Sequence, residues 1–450
     1  MPTDPGFDSG LLSPLTVRVE RRVSDGALVA ALVRAEVAFI RALARVGVAA
    51  PGTAAAVEAA ASGLEIDAPA LATEAVADGN PVIPLVRCLR AAVATRDADA
   101  ARWVHRGATS QDILDTALAL VAADAVGAID ADLERAARAL ATLAERHRGT
   151  VAAARTLTQF AVPTTLGLRF ADWLVQVLDA RDALTGAIPP AQLGGAAGTL
   201  AALDELFGAR AALELPGAFA GELGLPEPTM PWHVRRTAMT RLGDALVAVT
   251  DPLARIGTDV ATLARPEIGE LAESGGGGSS TMPQKRNPAR SVLLRAAGMR
   301  APALAAQLHV SAALAVDERP DGAWHAEWPA LRELARLALG AAATAAELLE
   351  GLDVDEDAVA RNVAAAGDAL VSERLMLALE PRLGRSAVQA LVDRAAAGEP
   401  LATLLAAEPA LAGVDVEALL DPVGYTGVAG QLIDRALARA SAPRPEVRQS

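Results

Sequence analysis

Between Asp112 and about Arg148 the chain contains no proline and one glycine, Gly127. A run of that kind predicts a single helix of roughly 35 residues, about three times the mean length in globular proteins. Such a helix is too long for one small core to cover, so it constrains the rest of the chain to an extended bundle. Further long helical runs are predicted over 164–184, 233–265, 288–317 and 327–350. Their apolar faces call for other helices or other subunits as cover. Hydrophobic residues make up 52 % of the sequence and aromatics 3 %, with alanine carrying much of the apolar count. Alanine is the best helix former, so the fold class expected is all-α.

The flanks differ from this middle. Ala27, Leu32, Glu36, Phe39, Ile40 and Leu43 follow a helical period that ends near Gly47. Residues 51–104 are cut into short pieces at Pro51, Gly63, Pro69, Gly79, Pro81 and Pro84, and residues 351–441 at Gly384, Gly398, Pro400 and Pro409. Three domains are expected: an N-terminal helical domain (1–110), a central long-helix bundle (111–350) and a C-terminal helical domain (351–450). The tail from Ala442 has two prolines and no apolar pattern, so it is expected to fray. Few runs read as strands.

Lys and Arg total 41 against 55 Asp and Glu, a net charge of −14, which argues against a general nucleic-acid binder. An anionic ligand would therefore be met by a local cationic site. Cys88 is the single cysteine, excluding an internal disulfide and fitting a reducing cytoplasm. The first ten residues do not read as a signal peptide. Ala183–Leu203 is uncharged and long enough to span a bilayer, but Pro189, Pro190, Gly194, Gly195 and Gly198 make it a loop. A soluble protein without a membrane partner is expected.

The segment Gly275–Pro288 carries the most chemistry. Four glycines free the backbone, two hydroxyls (Ser279, Ser280) follow, then Lys285 and Asn287-Pro288. Asn is a preferred N-cap and Pro a preferred first helical residue, so a helix is predicted to start there, with N–H groups and macrodipole suited to a carboxylate. A plain Gly/Ser linker is the other reading of the same run. The order is not that of a phosphate-binding P-loop. A second feature is Thr109-Ser110-Gln111-Asp112, a capping-box-like start to the longest helix.

Gly278–Pro288 resembles the signature loop G-S-S-x-M-P-x-K-x-N-P of the fumarase/aspartase superfamily, matching all eight of its fixed positions. Several other stretches resemble the 3-carboxy-cis,cis-muconate cycloisomerase subgroup: Gly79–Leu85, His105–Ile113, Arg155–Gln159, Gly194–Leu200 and Gly322–Trp328. The resemblance implies a three-domain fold with a long central helical bundle, and a homotetramer whose active sites combine residues of three subunits. It implies that Ser279 is the proton-transferring base, although sequence alone does not separate it from Ser280. Lys285 and Asn287 would bind substrate carboxylate. His105, Thr109 and Ser110 would line the pocket, His105 as donor or proton shuttle. Arg155, Thr156 and Gln159 would contact carboxylates or a carbonyl, and His325 would reach the same pocket.

Two departures matter. Many lyases of the superfamily carry Thr-His where this chain has Thr156-Leu157, and leucine cannot protonate a leaving group. A carboxylate leaves as a stable anion and needs little acid help, which favours lactone chemistry. After Pro231-Trp232-His233 the subgroup continues Thr-Gln-Arg-Asp, whereas this chain reads Val234-Arg235-Arg236-Thr237. The activity implied is an intramolecular lyase that interconverts 3-carboxy-cis,cis-muconate and 4-carboxymuconolactone in protocatechuate breakdown. The alternative is a superfamily lyase that eliminates a good leaving group from a substituted succinate to give fumarate. Neither needs a cofactor. His325-x-Glu327 is not the zinc pattern His-Glu-x-x-His, so no metal is expected. Trp324 and Trp328, one turn apart, read as a core patch.

Overall fold

The computed structural model describes residues 10–275, 277, 278, 282 and 285–443. The proline-free run forms one helix. Short N-terminal helices precede it: α1 (Asp25–Arg45), α2 (Pro51–Ala61), α3 (Ala68–Asp78), α4 (Val82–Ala94) and α5 (Ala98–Ala101). Then comes α6 (Ser110–Arg146), 37 residues long, which at 1.5 Å per residue is about 55 Å. The bundle is completed by α7 (Leu166–Ala183), α10 (Thr237–Leu263), α11 (Ala289–Ala313) and α12 (Gly322–Glu350). The short helices α8 (Ala201–Phe207) and α9 (Ala209–Leu223) lie between α7 and α10. The all-α class and the bundle of long helices expected from the sequence are observed.

Three of the bundle helices contain proline: Pro252 in α10, Pro302 in α11 and Pro329 in α12. The sequence places the start of the last helix at 327; it begins at Gly322 and runs through Pro329. Proline removes one ladder hydrogen bond, and packing on both sides of the bundle absorbs the loss. Contact between α10 and α11 is close because Gly257 leaves room: a Cβ there would stand 2.8 Å from the Ser291 carbonyl oxygen.

Strands are present where the sequence showed few. β1 (Val151–Thr156) and β2 (Gln159–Thr165) form an antiparallel hairpin just beyond the end of α6, and β3 (Leu271–Glu273) pairs with β4 (Leu352–Val354). The hairpin turn is Leu157-Thr158, with φ of 48° and 73°. Turns of this hand are normally signalled by Asn-Gly or Gly, so the sequence concealed this one.

One apolar core runs from Val23 through the N-terminal helices and the bundle to Ala436. A second gathers Val371, Leu375, Leu379, Val388 and Leu404 from the C-terminal helices. The last helix, Ala429–Ser441, leaves that second core and packs on α7. Among the described residues no helix is long and apolar enough to cross a membrane.

Candidate active site

The first turns of α6 are buried on every face, from Ser110 to Leu120. Five of those residues are polar, Ser110 and four with no exposure at all: Gln111, Asp112, Asp115 and Thr116. Buried polar groups must be partnered, and their partners define the site. Thr109 stands in extended conformation before the helix, and its N–H donates to Asp112 Oδ2 at 3.0 Å. Gly194 N–H (2.8 Å) and Gly195 N–H (3.0 Å) donate to the same carboxylate, and His233 Nε2 lies 2.8 Å from it. Gly195 has φ of 71°, and a Cβ on Gly194 would stand 2.8 Å from His233 Cε1. Both glycines are needed for the loop to reach Asp112. Three separate motif stretches therefore converge on one carboxylate.

A second hub lies one turn further along α6. Arg236, fully buried, donates to Asp115 (2.7 and 3.0 Å) and to Glu327 (2.6 Å from Nη2). Asp115 also accepts from Trp324 Nε1 at 2.9 Å and from Gln111 Nε2 at 3.2 Å. Burial pushes the Glu327 carboxyl above its usual range, against the pull of Arg236. Of the four positions Val234–Thr237, three differ from the subgroup and the arginine, Arg236, is retained as this buried keystone. Trp324 is buried as expected, but its indole N–H is also a working donor.

Around these hubs stand the other residues of this end. His105 has φ of 59°, and its Nδ1 is 2.6 Å from Glu36 Oε1. Next to it, the Arg106 guanidinium lies over the Trp103 ring (5.1 Å) and the Phe207 ring (5.9 Å), with no ion-pair partner among the described residues. Ser110 is buried. His325 sits between two backbone carbonyls, Asp321 O at 2.9 Å and Gly79 O at 2.8 Å, so its ring ties the 79–81 turn to α12.

The hairpin residues lie elsewhere. Arg155, expected to contact a carboxylate or carbonyl of the substrate, has its Nη2 3.0 Å from Glu270 Oε1. Asn362 Nδ2 donates to the same Glu270 oxygen at 2.8 Å, and Arg169 approaches at 4.0 Å. Burial lowers the Arg169 pKa from its ordinary value. Thr156 and Gln159 pair across the hairpin end, and Leu157 at its apex is 96 % exposed.

Ser279 and Ser280 lie outside the described residues. Lys285 is exposed, and Asn287 is paired with Gly277 through backbone bonds of 3.0 and 3.1 Å. The predicted cap is corrected: α11 starts at Ala289, and neither Asn287 nor Pro288 supplies a side-chain cap. Glu273 takes that place, accepting from Arg290 N–H (3.1 Å), Ser291 N–H (2.8 Å) and Ser291 Oγ (2.6 Å). The carboxylate held by this helix start is therefore the protein's own. Glu36, Asp112, Asp115, His233, Arg236, Glu270 and Glu273 were not named as site residues from the sequence. A charged residue within an apolar helical period is the signal that could have found Glu36.

The chain matches the lyase family model over residues 16–302. It is 47 % identical to a nitrosuccinate lyase of Streptomyces davaonensis, covering 96 % of this chain and 94 % of that protein. It is 42 % identical to a 3-carboxy-cis,cis-muconate cycloisomerase of Pseudomonas aeruginosa, covering 90 % of each. The crystal structure of the 3-carboxy-cis,cis-muconate lactonizing enzyme from Pseudomonas putida superimposes with a TM-score of 0.88 at 34 % identity, covering 96 % of this chain and 99 % of that one.

Proposed function

The chain belongs to the lyase family of the fumarase/aspartase superfamily, and we propose that it eliminates a stable anion from a substituted succinate to leave fumarate. Nitrosuccinate, which would release nitrite, is the proposed substrate. The observation that carries this reading is Leu157 at the hairpin apex, where a proton donor for the leaving group would stand. Nitrite, like a carboxylate, is the anion of an acid of carboxylic strength and departs without protonation. An amine leaving group would need that proton.

In the proposed step a base removes a proton from the carbon beside one carboxylate. The C–H electron pair forms the new double bond, the C–N bond breaks, and nitrite leaves with its electrons. By resemblance the base is Ser279, with Lys285 and Asn287 meeting the carboxylate on which charge develops. The higher identity to the nitrosuccinate lyase, and the differences at Val234, Arg235 and Thr237 from the cycloisomerase pattern, support this reading over lactonisation. Cycloisomerisation of 3-carboxy-cis,cis-muconate is the second reading, favoured by the fold match to that enzyme. It equally needs no acid at Leu157.

The site is proposed to be shared between copies, in a homotetramer. Thr109 and Ser110 begin α6, while the hairpin follows its far end. The exposed face of α11 supports the same reading: Val292, Ala296, Met299, Ala303, Ala306 and Val310 recur at alternate steps of four and three, a coiled-coil seam facing solvent. The test is a nitrite-release assay with nitrosuccinate, run beside an ultraviolet assay of 3-carboxy-cis,cis-muconate and beside Ser279→Ala. Nitrite and fumarate in equal amounts from wild type, and none from the variant, support the lyase. Diene loss without nitrite release moves the assignment to the second reading.

A further inference from the structure

Glu36 is fully buried on the apolar face of α1, among Leu32, Phe39, Ile40 and Leu43. A carboxylate there is costly unless it is paired. Its Oε1 faces His105 Nδ1 at 2.6 Å, and its Oε2 is buried without a partner. His105 carries a second cost, the left-handed backbone conformation at φ 59° that non-glycine residues seldom adopt. An apolar contact would join α1 to this turn at lower cost than a buried ion pair. Both costs serve to place one imidazole.

A carboxylate can only accept, so Nδ1 carries the proton toward Glu36. No described group bonds Nε2, and the His105 side chain keeps 16 % of its surface exposed. The ring precedes Thr109 by four residues. We propose that Glu36 is a positioning residue for substrate binding, holding the His105 ring so that Nε2–H donates to a substrate carboxylate beside Thr109 and Ser110. This rests on the family reading above and adds the device that fixes the ring. Three charged groups act on it. Burial works against the imidazolium; Glu36 from α1 and Asp112 from α6 override burial, and Arg90 from α4 opposes them, leaving the pKa above its ordinary value. Arg90 is itself engaged with the Val104 carbonyl at 2.9 Å.

The experiment uses the full-length protein and two probes. Fumarate binding is measured by calorimetry at pH 6 and pH 8, and nitrosuccinate kinetics are measured at the same pH values. For Glu36→Gln, fumarate binding and KM are expected to weaken by about tenfold or more at pH 8 and by less at pH 6, with kcat little changed. A purely structural role would lower the melting temperature without a pH-dependent shift in binding. Glu36→Gln that folds and binds fumarate like wild type at both pH values overturns the proposal. Should that variant fail to fold, His105→Gln carries the test: binding weakened at both pH values supports the proposal, and unchanged binding overturns it. If wild type binds fumarate with this pattern but does not release nitrite, the function above falls and the role of Glu36 stands. If wild type binds neither fumarate nor 3-carboxy-cis,cis-muconate, both fall.

Discussion

Thr109 caps the start of a 37-residue helix, and Thr156 ends the strand that follows its far end. A substrate the size of succinate cannot touch both within one chain, since the helix alone is about 55 Å long.

Subunit mixing should therefore restore activity. Thr156→Val and Thr109→Val are each expected to be strongly impaired, and refolding them together should recover a measurable fraction of wild-type turnover. Mixed protein that stays as inactive as its parents would place a complete site in one chain.

Leu157→His should bring no benefit. If nitrite leaves unassisted, an added imidazole changes kcat on nitrosuccinate by less than about threefold. A general acid is worth roughly a hundredfold or more where one is needed. A rise of that size would show that the leaving group does require protonation.

Arg236→Met removes the one cation between Asp115 and Glu327, both buried. Breaking a buried pair from one side costs about 3–5 kcal/mol, and urea unfolding should show a loss of that order. A change below about 1 kcal/mol would mean that the hub is solvated or rearranged.

The pH dependence of stability has a defined sign at Glu327. Its carboxyl is raised in the folded protein above the ordinary 4.5, because of burial, so the folded state binds the extra proton. That contribution is complete below 4.5 and is lost as pH rises through the folded pKa. Glu327→Gln should flatten the fall in stability on the alkaline side of pH 4.5. An unchanged pH–stability curve would remove Glu327 as a titrating group.

Gly194→Ala places a methyl 2.8 Å from His233 Cε1 and from Pro231 Cβ. Overpacking of this kind costs about 1–3 kcal/mol. Substrate affinity should fall as well, because the Asp112 hub holds the Thr109 turn. Full activity with wild-type melting would show that the loop can yield without consequence.

What the sequence made legible was local. The proline-free run, the Thr109–Asp112 cap and the signature loop each declare themselves within a few residues. The hubs do not, because Asp115, Arg236 and Glu327 come from three distant stretches and nothing beside any of them announces a buried charge. The Asn287-Pro288 cap shows the opposite failure. The local preference is real, but Gly277 pairs with the Asn287 backbone and Glu273 reaches the helix start first. Arg155 was likewise legible as a cation seeking a carboxylate, and only the fold reveals that Glu270 supplies it.

The Asp115–Arg236–Glu327 hub also has a kinetic consequence. Its partners are separated by 121 and 91 residues. Loops of that length must close before any of the three charges gains an opposite charge, and until then each is better left in water. The hub is therefore expected to form late in folding, with substitutions there changing the unfolding rate more than the folding rate. A late contact contributes little to the rate of reaching the native state and much to the rate of leaving it, so the charges at the centre of the bundle act as its latch against unfolding.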